Sequence, residues 1–192
     1  AIRRIIDVVE LILDDVLLPL YERIRDRVNL ERVWLVAWDD ASAPAASLEN
    51  HEDLLAGGEE QFVLPALDER DPCLMCYTSG TTGRPKGVVY SHRSTVLHAL
   101  ASALPDGVGL SCHDTVTPVV PMFHANAWGL PFAATLVGAS QVFPGPHLDP
   151  ESLLDLFAGE SVNLTAGVPT IWLGLLEALR REPDRWALPP MR

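Results

Sequence analysis

The sequence predicts an α/β fold, a mostly parallel sheet flanked by helices, on three observations. Apolar runs of strand length alternate with stretches of helical period. Helix start and stop signals fall between those runs. The segment Thr115–Leu148 contains no Asp, Glu, Lys or Arg, the kind of run left by parallel strands buried on both faces. Strands alternating with helices imply right-handed β–α units in one sheet.

The opening residues allow two readings. Ile2, Ile5, Ile6, Val9, Ile12, Leu13, Val16, Leu17 and Leu20 fit one face of a long helix. Equally, Val8–Leu13 fits a strand, with Asp14 and Asp15 turning the chain and Pro19 starting a helix to Val28. Val33–Ala37 reads as a strand. The span Trp38–Glu69, acidic and rich in Ala, Ser and Pro with Gly57-Gly58, reads as a surface excursion.

Beyond Asp71 and Pro72 the signals sharpen. Cys73–Tyr77 is a short apolar strand, and Val88–Tyr90 continues extended. Ser91 caps a helix with Val96, Leu97, Leu100 and Leu104 on one side. Val116–Val120 is a strand, and Ala127–Val137 a buried helix ended by Gly138. Gln141–Phe143 is a short strand. Asp149-Pro150-Glu151 supplies a cap, a first-turn proline and an acid for a helix burying Leu153, Leu154, Leu156 and Phe157. Val162–Thr165 is a strand, and Pro169 opens a helix with Ile171, Trp172, Leu175, Leu176 and Leu179 on its apolar face.

Composition narrows the function. The 192 residues carry a formal charge of −12, which argues against a nucleic-acid-coating surface. Prolines at 118, 121, 131, 144 and 146 break the uncharged stretch, so no membrane span is expected there. Three cysteines are too few and too odd in number for a disulfide framework. Cys73 and Cys76, even with Cys112 and His113, do not supply a convincing zinc set. On a strand, residues three apart face opposite sides, so core thiols are the expectation. Trp172 and Trp186 read as packing residues. The chain opens on Ala1 and stops at Arg192, which reads as a fragment or processed chain.

Chemistry concentrates in Tyr77-Thr78-Ser79-Gly80-Thr81-Thr82-Gly83-Arg84-Pro85-Lys86-Gly87-Val88. Its glycines let a ligand approach backbone N–H groups, its hydroxyls are neutral donors, and Lys86, the sole lysine, adds a compact positive charge. Following a strand, such a loop can form an anion-binding nest for a polyphosphate. It is not a Walker loop, because Lys86 is preceded by Pro85 and followed by Gly87.

This run resembles the phosphate-loop signature of the adenylate-forming (AMP-binding) superfamily of acyl-CoA synthetases, peptide-synthetase adenylation domains and firefly luciferase. The likeness continues through Val89-Tyr90-Ser91-His92-Arg93 and Val119-Val120-Pro121-Met122-Phe123-His124-Ala125-Asn126-Ala127-Trp128. Adding Leu136-Val137-Gly138-Ala139 and Thr165-Ala166-Gly167-Val168-Pro169-Thr170, it is most similar to the medium/long-chain fatty-acyl-CoA synthetases. The resemblance implies an ATP-dependent fatty acid–CoA ligase: carboxylate and ATP give acyl-adenylate and pyrophosphate, then a thioester with CoA. It implies ATP and Mg²⁺ as cofactors, CoA as co-substrate, a fatty acid or related carboxylate as substrate, and a cytoplasmic enzyme, with a homodimer as an open possibility.

By position, the resemblance assigns Thr78, Ser79, Gly80, Thr81, Thr82, Gly83 and Lys86 to the phosphates, Lys86 to catalysis and Thr78 also to the metal. It assigns His124, Ala125 and Trp128 to the acyl tunnel, with Trp128 as a gate. From the residues alone, His124 is a base, a pocket wall or, ahead of either, a hydrogen-bonded core histidine. The family's Tyr-Gly-x-Thr-Glu motif is missing, since the last tyrosine is Tyr90. A matching ribose-binding Asp and the second, C-terminal-domain lysine are missing too. Residues 1–192 therefore read as part of the large N-terminal domain, without the C-terminal domain and inactive in isolation. The competing reading is a non-catalytic α/β module with at most weak nucleotide binding.

Overall fold

The computed structural model describes residues 10–37, 48–59, 61–78 and 85–192, which fall in two compact units, Ala1–Pro65 and Ala66–Arg192. In the first unit, β1 (Glu10–Asp14) runs parallel to β2 (Arg32–Val36), pairing Ile12 with Trp34, and β2 runs parallel to the two-residue β3 (Glu49–Asn50). Of the two readings of the N-terminus, strand-then-helix holds for the described part. Asp14 accepts a hydrogen bond from the Val16 N–H at 3.0 Å and ends the strand. Pro19 then lies in the first turn of α1 (Leu18–Ile24). Residues 38–47, within the expected surface excursion, lie outside the described residues. Further along it, Asn50 caps the short α2 (His51–Ala56) through the Glu52 N–H at 2.8 Å.

The second unit begins with a correction. The strand expected at Cys73–Tyr77, β4 (Pro72–Thr78), does not pair in a parallel sheet. It forms an antiparallel two-stranded hairpin with β5 (Lys86–Ser91), in register from Leu74↔Tyr90 to Thr78↔Lys86. The eight-residue register offset across the hairpin end lets the chain simply double back, where parallel pairing needs a crossover of a dozen or more residues.

Helix α3 (His92–Ala103) starts where expected. Ser91 Oγ accepts from the Ser94 N–H at 3.2 Å while Ser94 Oγ accepts from the Ser91 N–H at 3.0 Å, a reciprocal capping box. It ends because Leu104 precedes Pro105 and adopts extended backbone.

The parallel sheet places β6 (Thr115–Pro118) between β7 (Ser140–Gln141) and β8 (Leu164–Ala166). One core lies between this sheet, α3 and α5 (Leu130–Val137): Ala99, Val116, Leu130, Ala133, Ala134 and Leu164 are buried together. Gly138, at φ 76°, closes α5 in the left-handed conformation. A second core joins α6 (Pro150–Gly159) to α7 (Pro169–Arg181) through Leu153, Leu154, Phe157, Val162, Leu175 and Trp186. Burying each of the large apolar side chains contributes about 1.5–3 kcal/mol. Asp149 caps α6 by accepting from the Ser152 N–H at 2.9 Å. The Ser152 hydroxyl first, and its N–H second, hold the Asp149 carboxyl below the usual carboxylate range. Trp186 donates its indole N–H to Asp155 at 2.6 Å, so it packs as expected. No described helix is long and apolar enough to cross a membrane.

A buried polar knot fastens Arg192 to the segments that lead into β6 and β8. Asp114, 3% exposed, accepts from the Ser111 N–H at 2.8 Å, from Asn163 at 3.1 Å and from Arg192 Nη1 at 2.8 Å. Burial pushes the Asp114 pKa upward, but the Ser111 N–H and the Arg192 guanidinium outweigh it and hold the carboxyl below its ordinary value.

Candidate functional site: a phosphate hairpin beside an apolar cavity

Thr78 and Lys86 face each other as the last paired residues of the β4–β5 hairpin. Both are exposed, and the Thr78 hydroxyl lies 3.5 Å from the Lys86 carbonyl. The two residues expected to handle phosphate and metal thus flank the mouth of the loop between them. Ser79, Gly80, Thr81, Thr82 and Gly83 lie outside the described residues. A Cβ at position 87 would stand 2.9 Å from Met75 Sδ on the facing strand, so a larger residue there makes the Met75 side chain shift.

Next to the hairpin is a cavity of about 360 Å³. Leu74 and Tyr90 line it from the hairpin, Ser94, Thr95 and His98 from α3, and Phe132 from α5. Ala125, Asn126, Trp128 and Gly129 complete the wall. Trp128 also borders a second cavity of about 310 Å³, formed with Val108, Leu130, Leu164, Thr165, Ala166 and Arg192. Trp128 thus lines both cavities.

Trp128 sits on unusual backbone. The helix expected from Ala127 begins only at Leu130. Before it lies a single left-handed turn, α4 (Ala125–Trp128), with φ of 46°, 53°, 51° and 56° at successive residues. A left-handed turn of non-glycine residues costs about 1–2 kcal/mol per residue, so tertiary contacts must hold it. Two do. Cys76 Sγ donates to Asn126 Oδ1 at 2.8 Å, and His98 Nε2 lies 2.9 Å from the Trp128 carbonyl. A carbonyl only accepts, so the His98 proton is on Nε2. Gly129, at φ 71°, leaves no room for a side chain, because a Cβ there would collide with the His98 ring.

Of the residues expected at an acyl tunnel, Ala125 and Trp128 line the cavity. His124 is exposed and is not part of its lining; its N–H bonds to the Pro121 carbonyl at 3.0 Å. Cys73 and Cys76 are free thiols, one 3.3 Å from the Thr95 hydroxyl and the other bonded to Asn126. His98, Asn126 and Cys76 escaped the sequence reading as site residues. His98 lies on α3 among residues of no distinctive spacing, and nothing local marks it.

Residues 10–188 match the AMP-binding enzyme family. The chain belongs to that family. It is 56% identical over 175 residues to the long-chain-fatty-acid–CoA ligase of Thermus thermophilus, covering 91% of this chain and 31% of that protein. It is 48% identical over 170 residues to the medium-chain-fatty-acid–CoA ligase of Ectopseudomonas oleovorans, covering 87% of this chain and 31% of the relative. A long-chain-fatty-acid-CoA ligase from Archaeoglobus fulgidus superposes with a TM-score of 0.74 at 26% identity, covering 90% of this chain and 33% of that structure. The chain spans about a third of the length of these relatives. Its α/β architecture, with parallel sheets flanked by helices, is that of their N-terminal domains.

Proposed function

We propose that this chain is the part of an ATP-dependent fatty acid–CoA ligase that carries the phosphate loop and one wall of the acyl pocket. The observation that supports this best is that the hairpin ending at Thr78 and Lys86 also lends Leu74 and Tyr90 to an apolar cavity lined by Trp128. A carboxylate with an apolar tail and a nucleotide triphosphate each find complementary chemistry on adjacent parts of one unit.

In this reading Lys86 and the hydroxyls and N–H groups of residues 78–83 bind the β- and γ-phosphates and neutralise the charge that builds on departing pyrophosphate. The carboxylate oxygen attacks the α-phosphorus and the bond to pyrophosphate breaks; the CoA sulfur, having lost its proton, then takes the acyl carbon as the bond to AMP breaks and AMP leaves. Ala125 and Trp128 border the acyl chain and Trp128 gates its entry, while His124, exposed and outside the cavity lining, stands next to them in the chain. Among the described residues no group of three or more His, Cys, Asp and Glu side chains could hold a metal ion. The exposed Thr78 hydroxyl fits a Mg²⁺ ion bound chiefly by nucleotide phosphates; Mg²⁺ would supply further charge neutralisation there. The assembled enzyme is proposed to be cytoplasmic, with a homodimer as its possible assembly. Residues 1–192 are proposed to be a partial N-terminal domain that makes no acyl-CoA by itself, because they supply no second lysine to reach the reacting carboxylate.

Pyrophosphate exchange with the full-length enzyme tests the assignment. Lys86→Ala should slow adenylate formation roughly ten- to hundredfold, the worth of a charge-assisted phosphate contact, and leave carboxylate binding nearly unchanged. Equal exchange rates in mutant and wild type would refute it. Acyl-CoA formation by the 192-residue chain, in a preparation free of full-length enzyme, would refute the proposed inactivity.

A further inference from the structure

The left-handed turn Ala125–Trp128 has no local reason for its hand. Right-handed backbone is the default for these residues, and only Asn126 among the four visits the left-handed region readily. Asn126 is also the one whose side chain is tied to another element: its Oδ1 receives the Cys76 thiol proton at 2.8 Å. Cys76 is 7% exposed and lies on β4, opposite Val88 in the hairpin register. Little water competes there, so a weak thiol donor gains strength from its dry surroundings.

We propose that Cys76 is a positioning residue for Trp128, acting through Asn126. The thiol fixes the amide, the amide fixes the left-handed turn, and the turn holds Trp128 in the lining of both cavities. The His98 contact with the Trp128 carbonyl secures the other end of the same turn. Freed of the thiol, the turn relaxes toward right-handed backbone and Trp128 leaves that position. The consequence for acyl-chain selection rests on the function proposed above; the geometry does not.

The test therefore reads the indole directly. The 192-residue chain, labelled with 5-fluorotryptophan, carries five tryptophans, and Trp128→Phe identifies the Trp128 fluorine resonance. Cys76→Ala should shift or broaden that resonance while those of Trp172 and Trp186 stay in place. Cys76→Ser keeps a donor and should return it toward the wild-type position. Asn126→Ala should reproduce the Cys76→Ala effect, with nothing added when the two are combined. An unmoved Trp128 resonance in Cys76→Ala would overturn the proposal. So would a Cys76→Ser spectrum equal to that of Cys76→Ala, or movement of all five resonances together. Failure of the parent enzyme to make acyl-CoA would leave each of these readouts intact.

Discussion

In α6 the apolar residues Leu153, Leu154 and Phe157 are each 1% exposed, whereas Val96, Leu97 and Leu100 of α3 are 51%, 57% and 48% exposed. Both helices carry an apolar stripe and both are capped by side chains. They differ in what they turn inward. Helix α3 presents Ala99 and Ser102 to the core, and α5 meets it with Ala133 and Ala134. Small residues permit close approach of two helices; large ones fill a wider gap, as between α6 and α7. The α6–α7 region is a packed support. The hairpin–α3 region is close-packed at one line and open beside it, which leaves the cavity and the strained turn.

That contrast is broken most severely from the supporting side. Phe157→Ala should destabilise by about 3–5 kcal/mol. At about 2–4 °C per kcal/mol for a chain of this size, the melting temperature should fall on the order of 10 °C. A loss below 2 °C would mean that α6 and α7 do not form the scaffold described.

Asp114→Asn should come next, at about 1.5–3 kcal/mol, because Arg192 and the Ser111 N–H lose a charged acceptor. The folded-state pKa of Asp114 is depressed, so its contribution is complete above the unfolded value of about 3.9. It disappears as pH falls through the lower folded value. Thermal melts between pH 7 and pH 2 should show the mutant–wild-type gap narrowing below about pH 4. A gap independent of pH would contradict the role of the charge.

Gly129→Ala should cost about 1–2 kcal/mol from its left-handed backbone plus displacement of His98. Its signature should be local, with the Trp128 fluorine resonance moving more than that of Trp186. Smallest of all, Leu97→Ser on the exposed stripe should stay within about 0.5 kcal/mol in the 192-residue chain. A larger loss by thermal melting would mean that this stripe is packed in solution.

Much of the support was legible because its signals are local. Ser91 with Ser94, Asp149 with Pro150, and Gly138 each satisfy or end a helix through atoms within a few residues. Thr78 and Lys86 were legible through the loop between them, and Trp128 through the resemblance. His98, Asn126 and Cys76 were not, because each acts on a residue 30 or 50 positions away. The antiparallel pairing of β4 was misread because an apolar strand reads alike in either sheet type.

By itself the sequence determined where helices begin and end, which runs are apolar, and that a phosphate-loop signature sits between two extended segments. These depend on caps, proline and periodicity, which operate over a single turn or strand. Tertiary structure decided which apolar face of α3 is covered, how β4 pairs, and the hand of the turn that carries Trp128. The left-handed turn is unfavourable on its own, so only contacts from β4 and α3 make it the lower-energy conformation.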